Sequence, residues 1–312
     1  MPWKDNYTTS DEIGIFDEAI QWPAGQQMGF GLTLNLNPAA TAKGITEKDI
    51  AYPTWHFGMT EGLTAFLDLF ARTGVKATFA VPAVIAEAYP DAMKRILDGG
   101  HEIAAQGLFG EDPNTLEAGQ EAAHIAQATD ILTRVCGDAP KGWFSLSRPD
   151  DRFATGAVTD ETISLLKAQG YTYFGNGLAD DAPYWWVTDV EKSEAFLTLP
   201  YYYHFDDTFF LMFPRAGVGL ERLEPLKRNW RREFQAQYRR GRYFNMCVSP
   251  ARAGWGHRFS ALSEFLTEAV SHPGVWAETG STLAAHWQAN YPSSETLKLA
   301  PSIWVDYEDS LS

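Results

Sequence analysis

Short apolar runs alternate with amphipathic stretches along most of the chain, beginning near Gly29. Residues 29–34 form a strand candidate followed by a polar loop. Within 61–72, Leu63, Phe66, Leu67 and Phe70 recur at spacings of three and four, the apolar face of a helix that Gly74 stops. Residues 75–81 read as a buried strand ended by Pro82. The unit then repeats with a helix reaching Leu97, a turn at Gly99-Gly100 and a strand over 101–105. Next comes a helix with Asn114 as N-cap, Glu117 three residues later and Gly137 as stop.

The same grammar continues to the C-terminus. Trp143 lies in a short strand, and Thr159 is placed to cap a helix that ends before Gly170. Strands are expected over 171–174, 197–200, 209–213, 243–248 and 275–277. Helices are expected over 221–240, 259–270 and near 283–287. The helix over 221–240 turns Leu223, Leu226, Trp230, Phe234 and Tyr238 inward and leaves a basic outer face, either solvated or a contact between copies of the chain. Strands alternating with helices predict an α/β fold with a parallel sheet, and this many units in 312 residues favour a closed or nearly closed barrel. No linker or composition break interrupts it. One domain over 1–312 is expected, with an N-terminal arm over 1–25 and a C-terminal tail over 293–312.

Composition narrows the partners more than the fold. With 25 Lys+Arg against 40 Asp+Glu the formal net charge is -15, which argues against nucleic acid and anionic membrane as main partners. Hydrophobic residues at 45% supply a core, which excludes wholesale disorder. Two cysteines, Cys136 and Cys247, do not make a disulfide framework. Met1 to Phe16 lacks a basic segment followed by an apolar one, and no apolar run approaches a membrane span, so a soluble cytoplasmic protein is expected.

In a barrel of this kind the side chains just after each strand line the site. Several such residues invite two readings. His204 follows Tyr201-Tyr202-Tyr203 and precedes Asp206-Asp207, so it is either a general acid/base oriented by Asp206 or Asp207, or part of a solvated aromatic loop. Asp180-Asp181 precedes Pro183-Tyr184-Trp185; Asp181 either orients a ligand or belongs to a turn. Arg148 either binds a carboxylate or carbonyl, or pairs with Asp150-Asp151. Trp143, Trp185 and Trp255 offer flat faces to a ring, or pack in the core. Arg252 and His257, around Gly254-Trp255-Gly256, either reach the pocket or cap it. His101, inside a strand, reads as a packed core histidine, and Ser249 has no base beside it.

One block is more specific. Gly74-Val75-Lys76-Ala77-Thr78-Phe79-Ala80-Val81, then Pro90, then Gly99-Gly100-His101-Glu102-Ile103-Ala104-Ala105-Gln106-Gly107 resembles the polysaccharide deacetylase superfamily, the nodulation-protein-B homology domain. Trp55-His56-Phe57-Gly58, Gly142-Trp143, Leu199-Pro200-Tyr201, Gly274-Val275-Trp276 and His286-Trp287 make the chain look most like the allantoinase-like branch. The resemblance covers roughly residues 22–292 and implies a distorted (β/α)7 barrel and a hydrolase of non-peptide C–N bonds.

The departures from that pattern bear on the chemistry. Where metal-dependent members carry an Asp-Asp pair, this chain has Asn35-Leu36-Asn37-Pro38. Gln106 stands at the place of the first metal-binding His, and Gly110-Glu111 at that of the second. Ser249 replaces the strand-end His of the last motif. Amide oxygens are weak neutral ligands, and none of the seven histidines lies three or four residues from another, so neither a catalytic metal nor another cofactor is expected. Asn35, Asn37 and Gln106 would then hydrogen-bond a small amide, cyclic ureide or N-acyl substrate, while His204 with Asp206 or Asp207 handles protons. Two alternatives stay open. One is a degenerate barrel that binds a carbohydrate or small molecule, or partners an active homologue. The other is an ordinary metal-dependent deacetylase, by fold analogy.

Overall fold

The alternation along the chain becomes the two faces of one curved sheet. A computed structural model describes residues 11–12, 15–39, 41–145, 158–175, 180–189, 192, 194–201, 207 and 223–298. Its strands are β1 (Asp11–Glu12), β2 (Met28–Asn35), β3 (Thr78–Val81), β4 (Glu102–Ala105), β5 (Gly142–Phe144), β6 (Tyr173–Gly175), β7 (Tyr184–Asp189), β8 (Glu194–Thr198), β9 (Tyr243–Val248), β10 (Val275–Ala277) and β11 (Leu297–Lys298). β1 and β11 form a separate two-residue antiparallel ladder. In the main sheet β9, β2, β3, β4, β5, β6 and β8 lie side by side and parallel. β10 joins the first half of β2, on the edge that β3 takes further along. β7 folds back antiparallel on β8. The ladder is not closed between β8 and β9 among the described residues, but the Asn245 amide of β9 donates to Pro200 O, just past β8, at 3.1 Å. The architecture is the mixed α/β barrel with a central parallel sheet that the alternation predicts.

The two faces of β2 explain its composition. Met28, Phe30, Leu32 and Leu34 pack into the layer beneath the helices, beside Phe66, Phe70, Phe244 and Phe265. Gly29, Gly31, Thr33 and Asn35 alternate with them and so point to the interior. A Cβ at Gly31 would come within 2.6 Å of the Tyr243 hydroxyl, so only glycine lets that ring fill the barrel. The floor is sealed by Trp22 of the N-terminal arm and by the helix Gly280–Asn290. The Gly280 amide donates to Thr78 Oγ1 at 2.7 Å and the Ser281 amide to Glu102 Oε2 at 2.8 Å, with the Tyr173 hydroxyl on Glu102 Oε1. Burial pushes the Glu102 carboxyl above its ordinary range, although these donors pull the other way.

The strand over 243–248 and that over 275–277 fall where the pattern predicts them. Elsewhere the structure departs. The strand expected from residue 75 begins at Thr78. Asn114 does not cap a helix: it sits in a turn that Asp112 caps through the Asn114 amide, and the helix Gln120–Cys136 starts beyond it. The competing Asx turn at Asp112-Pro113 takes the donors that a helix start would need. β7 carries no turn signal strong enough to foretell a hairpin. The strand expected over 209–213 lies outside the described residues. The basic helix Leu223–Arg240 ties Lys227 to Glu264 and Arg231 to Glu268, so part of its charge is spent inside the chain. Among the described residues no helix is long and apolar enough to cross a membrane.

Candidate active site

Parallel register carries a set of polar residues to one edge of the barrel. Leu34 lies opposite Val248 and Asn35 opposite Ala80, while Val81 lies opposite Ala105. Asn35, Gln106 and Ser249 therefore stand together at the C-terminal rim, all buried. Asn35 Oδ1 accepts the Asn37 amide at 2.9 Å, and Asn37 Oδ1 accepts the Ala39 amide at 2.8 Å. Asn37 Nδ2 donates to Gly110 O at 3.3 Å, so this side chain bridges two loops and has both amide ends engaged by backbone. Gln106 differs. Only 5% of it is exposed, and its carbonyl Oε1 is buried without a hydrogen-bond partner.

Gln106 lines a small pocket of about 30 Å³, open to solvent, beyond the ends of β4 and β5. Trp143 and Ser145 form one wall, and Glu111, Glu121 and His124 another. Glu111 Oε1 lies 2.7 Å from His124 Nδ1, and its Oε2 accepts the Phe109 amide at 2.6 Å. The Glu111 side chain is 6% exposed against 24% for His124. The Phe109 ring meets the imidazole edge-on, with centroids 6.0 Å apart. One turn earlier on the same helix, Glu121 accepts the hydroxyls of Thr162 at 2.5 Å and Thr159 at 2.6 Å. A buried carboxylate holding one imidazole nitrogen beside a pocket is an acid/base arrangement.

The other residues singled out from the sequence are distributed unevenly. Asp207 is buried at the rim, where its Oδ2 accepts the Ser249 amide at 2.8 Å. His204, Asp206 and Arg148 lie outside the described residues. Trp143 lines the pocket while its ring packs edge-on against Tyr171. Arg252 follows β9 on the short helix Pro250–Ala253, and His257 is exposed in the helix Gly256–Ser271; neither lines the pocket.

Two expected ligand contacts are placed elsewhere. Asp181 is drawn to the opposite end of the barrel, where its carboxylate meets Arg242 just before β9, with Arg240 and Gln237 also on it. Asp180 caps the turn through the amides of Asp181 and Ala182, which is the turn alternative. Trp185 is 9% exposed and donates from Nε1 to Tyr291 O at 2.8 Å, a core residue of the barrel floor. His101 is buried between Phe70 and Phe79, as a core histidine should be.

Sequence inspection missed His124 and passed over Glu111 as a side-chain partner. They are 13 residues apart, on a loop and on the helix that follows it, and no local spacing rule joins them. The available signal was weak: Glu121 and His124 at i and i+3 share one face of a predicted helix that starts at the rim.

The residues at the positions where a hydrolytic metal would be held do not fit one. Asn35 and Gln106 offer neutral amides; of Gly110-Glu111 only Glu111 carries a ligating group, and its carboxylate already holds His124 and the Phe109 amide. The Gly110 backbone has φ +64, and a Cβ there would lie 2.2 Å from Asn37 Nδ2, so no ligand side chain has room. Among the described residues no group of three or more His, Cys, Asp or Glu is placed to hold an ion.

Comparison with known proteins follows the same outline. Residues 43–174 match the polysaccharide deacetylase family model. A peptidoglycan deacetylase of Helicobacter pylori is 30% identical over 125 residues, 40% of this chain and 40% of that protein. A peptidoglycan deacetylase-like protein of Gibberella zeae is 26% identical over 154 residues, 46% of this chain and 43% of that protein. The matches thus span less than half the length of these relatives. Among solved structures, a polysaccharide deacetylase from Mycobacterium smegmatis superposes with TM-score 0.75 at 24% identity, over 86% of this chain and 93% of that one. Puue allantoinase superposes with TM-score 0.72 at 22% identity, over 87% and 93% of the two chains. At these identities the structures show a shared fold.

Proposed function

We propose, for a chain that carries a polysaccharide deacetylase domain over residues 43–174, hydrolysis of a non-peptide C–N bond in a small amide, ureide or N-acyl substrate, run by side chains without a divalent metal. The observation that carries the proposal is Gln106: a buried amide oxygen with no partner, at the wall of a pocket on the C-terminal rim. A buried unsatisfied acceptor costs about 1–3 kcal/mol, and a substrate N–H placed there removes that cost. The relatives' names supply the reaction class, since deacetylation is hydrolysis of an amide. The amides of Asn35 and Gln106, and the lack of room for a side chain at Gly110, support the metal-free form. Protons pass in this proposal through side chains, with His204 and Asp206 or Asp207 as the candidates from the sequence; of these, Asp207 is buried and accepts the Ser249 amide. Cys136 and Cys247 are too few for a disulfide framework, and the cytoplasm is the proposed location.

Turnover is to be sought with a panel of N-acetylated sugars, simple amides and cyclic ureides. Gln106→Ala is expected to raise KM for the active substrate about tenfold to a hundredfold, the worth of one buried hydrogen bond. Activity should survive exhaustive dialysis against a chelator. Activity abolished by chelation and restored by zinc would overturn the metal-free form. Saturable ligand binding with no turnover would instead mark a binding barrel.

A further inference from the structure

The Glu111–His124 pair supplies more than a lining to the pocket. A carboxylate only accepts hydrogen bonds, so with Glu111 Oε1 at 2.7 Å the proton of the neutral ring belongs on Nδ1 and the lone pair on Nε2. Glu111 is itself held: Oε2 takes the Phe109 amide at 2.6 Å, and its side chain is 6% exposed. Glu121, the other carboxylate lining this pocket, is engaged by the hydroxyls of Thr159 and Thr162. Gln106 adds the unpartnered Oε1. Two acceptors of the lining thus have no protein partner among the described residues, His124 Nε2 and Gln106 Oε1.

We infer that His124 is the catalytic base of this pocket, with Glu111 as its positioning residue, and that the site takes substrates presenting hydrogen-bond donors, an amide or ureide N–H on Gln106 and a water O–H on His124. The inference rests on the hydrolytic proposal above, and it gives the base to His124 instead of His204. The step balances within these groups. The oxygen of water bonds to the carbonyl carbon while Nε2 takes its proton. The C–N bond then breaks as the imidazolium returns that proton to the departing nitrogen. The acyl or carbamoyl product keeps the water oxygen, the nitrogen leaves as an amine, and the ring is again neutral.

The test uses the full chain and the substrate found active in the panel. His124→Gln is expected to lower kcat at least about a hundredfold with the melting temperature retained. Glu111→Gln should lower kcat about tenfold or more, and Glu111→Asp should recover part of that loss. Nitrogen-15 spectra of histidine-labelled protein should show one signal pair of the Nδ1–H form that disappears in His124→Gln and becomes a tautomer mixture in Glu111→Gln. Loss of turnover in His204→Ala with His124→Gln fully active overturns the inference and leaves the hydrolytic proposal standing. An Nε2–H tautomer in the wild type also overturns it. A wild type that turns over nothing in the panel fails the hydrolytic proposal instead.

Discussion

His101 shows how a single residue records its surroundings. Burial, and to a lesser degree the Lys76 charge, lowers its pKa to about 4. Its Nδ1 accepts the Ala77 amide at 3.2 Å, which also favours the neutral ring. Above the ordinary value of 6.5 both folded and unfolded chains hold it neutral, so its contribution is intact. Below that value the unfolded chain takes a proton that the folded one refuses, and stability falls until the pH reaches about 4. Urea unfolding should therefore lose about 2 kcal/mol from this group between pH 7 and pH 5. His101→Asn, which keeps an acceptor for Ala77, should flatten that slope; an unchanged slope would remove His101 as its source. Gln106 is the complementary case. Its place at a strand end was readable from the sequence, whereas its unpartnered oxygen depended on what the neighbouring loops bring near.

At the scale of elements, the loop between β4 and the helix Gln120–Cys136 decides the character of the site. Gly107 and Gly110 both have positive φ, and the turn they make folds Glu111 back so that its carboxylate reaches the Phe109 amide and His124. Gly110→Ala is expected to cost about 1–3 kcal/mol, from the left-handed backbone and the overlap with Asn37. Differential scanning calorimetry reads that loss, and a melting temperature within a degree of wild type would count against the close approach. The period of the strands and helices was readable in advance because apolar spacing is local to each element. Asn114 misled because a Pro113 turn competes with a helix start for the same amides, and propensity alone does not rank the two. β7 was not foreseen because its pairing with β8 is an antiparallel fold-back that no turn signal between the two strands marks.

For the whole molecule, the N-terminal arm is part of the barrel. Trp22 is 5% exposed, donates from Nε1 to Gly241 O at 2.8 Å and packs among Trp276, His286 and Trp287. Beside it, Asp17 pairs with Arg240 and Arg242, whose guanidinium groups hold its carboxyl below the ordinary range. Trp22→Ala should cost about 3–5 kcal/mol, since a large ring is removed from a packed floor. Chemical denaturation measures it, and a loss below 1 kcal/mol would mean that the arm is a passive appendage. By itself the sequence determined the repeating strand–helix order and the strand over 29–34, because each follows from residue type and short-range spacing; the departures at Asn35, Gln106 and Gly110 were legible only through the resemblance to the deacetylases. Only the tertiary structure decided which charges meet. It sent Asp181 to Arg242, 61 residues away at the barrel floor, and brought Glu111 to His124 at the mouth. Those pairings depend on register, loop path and burial, and these are properties of the folded whole.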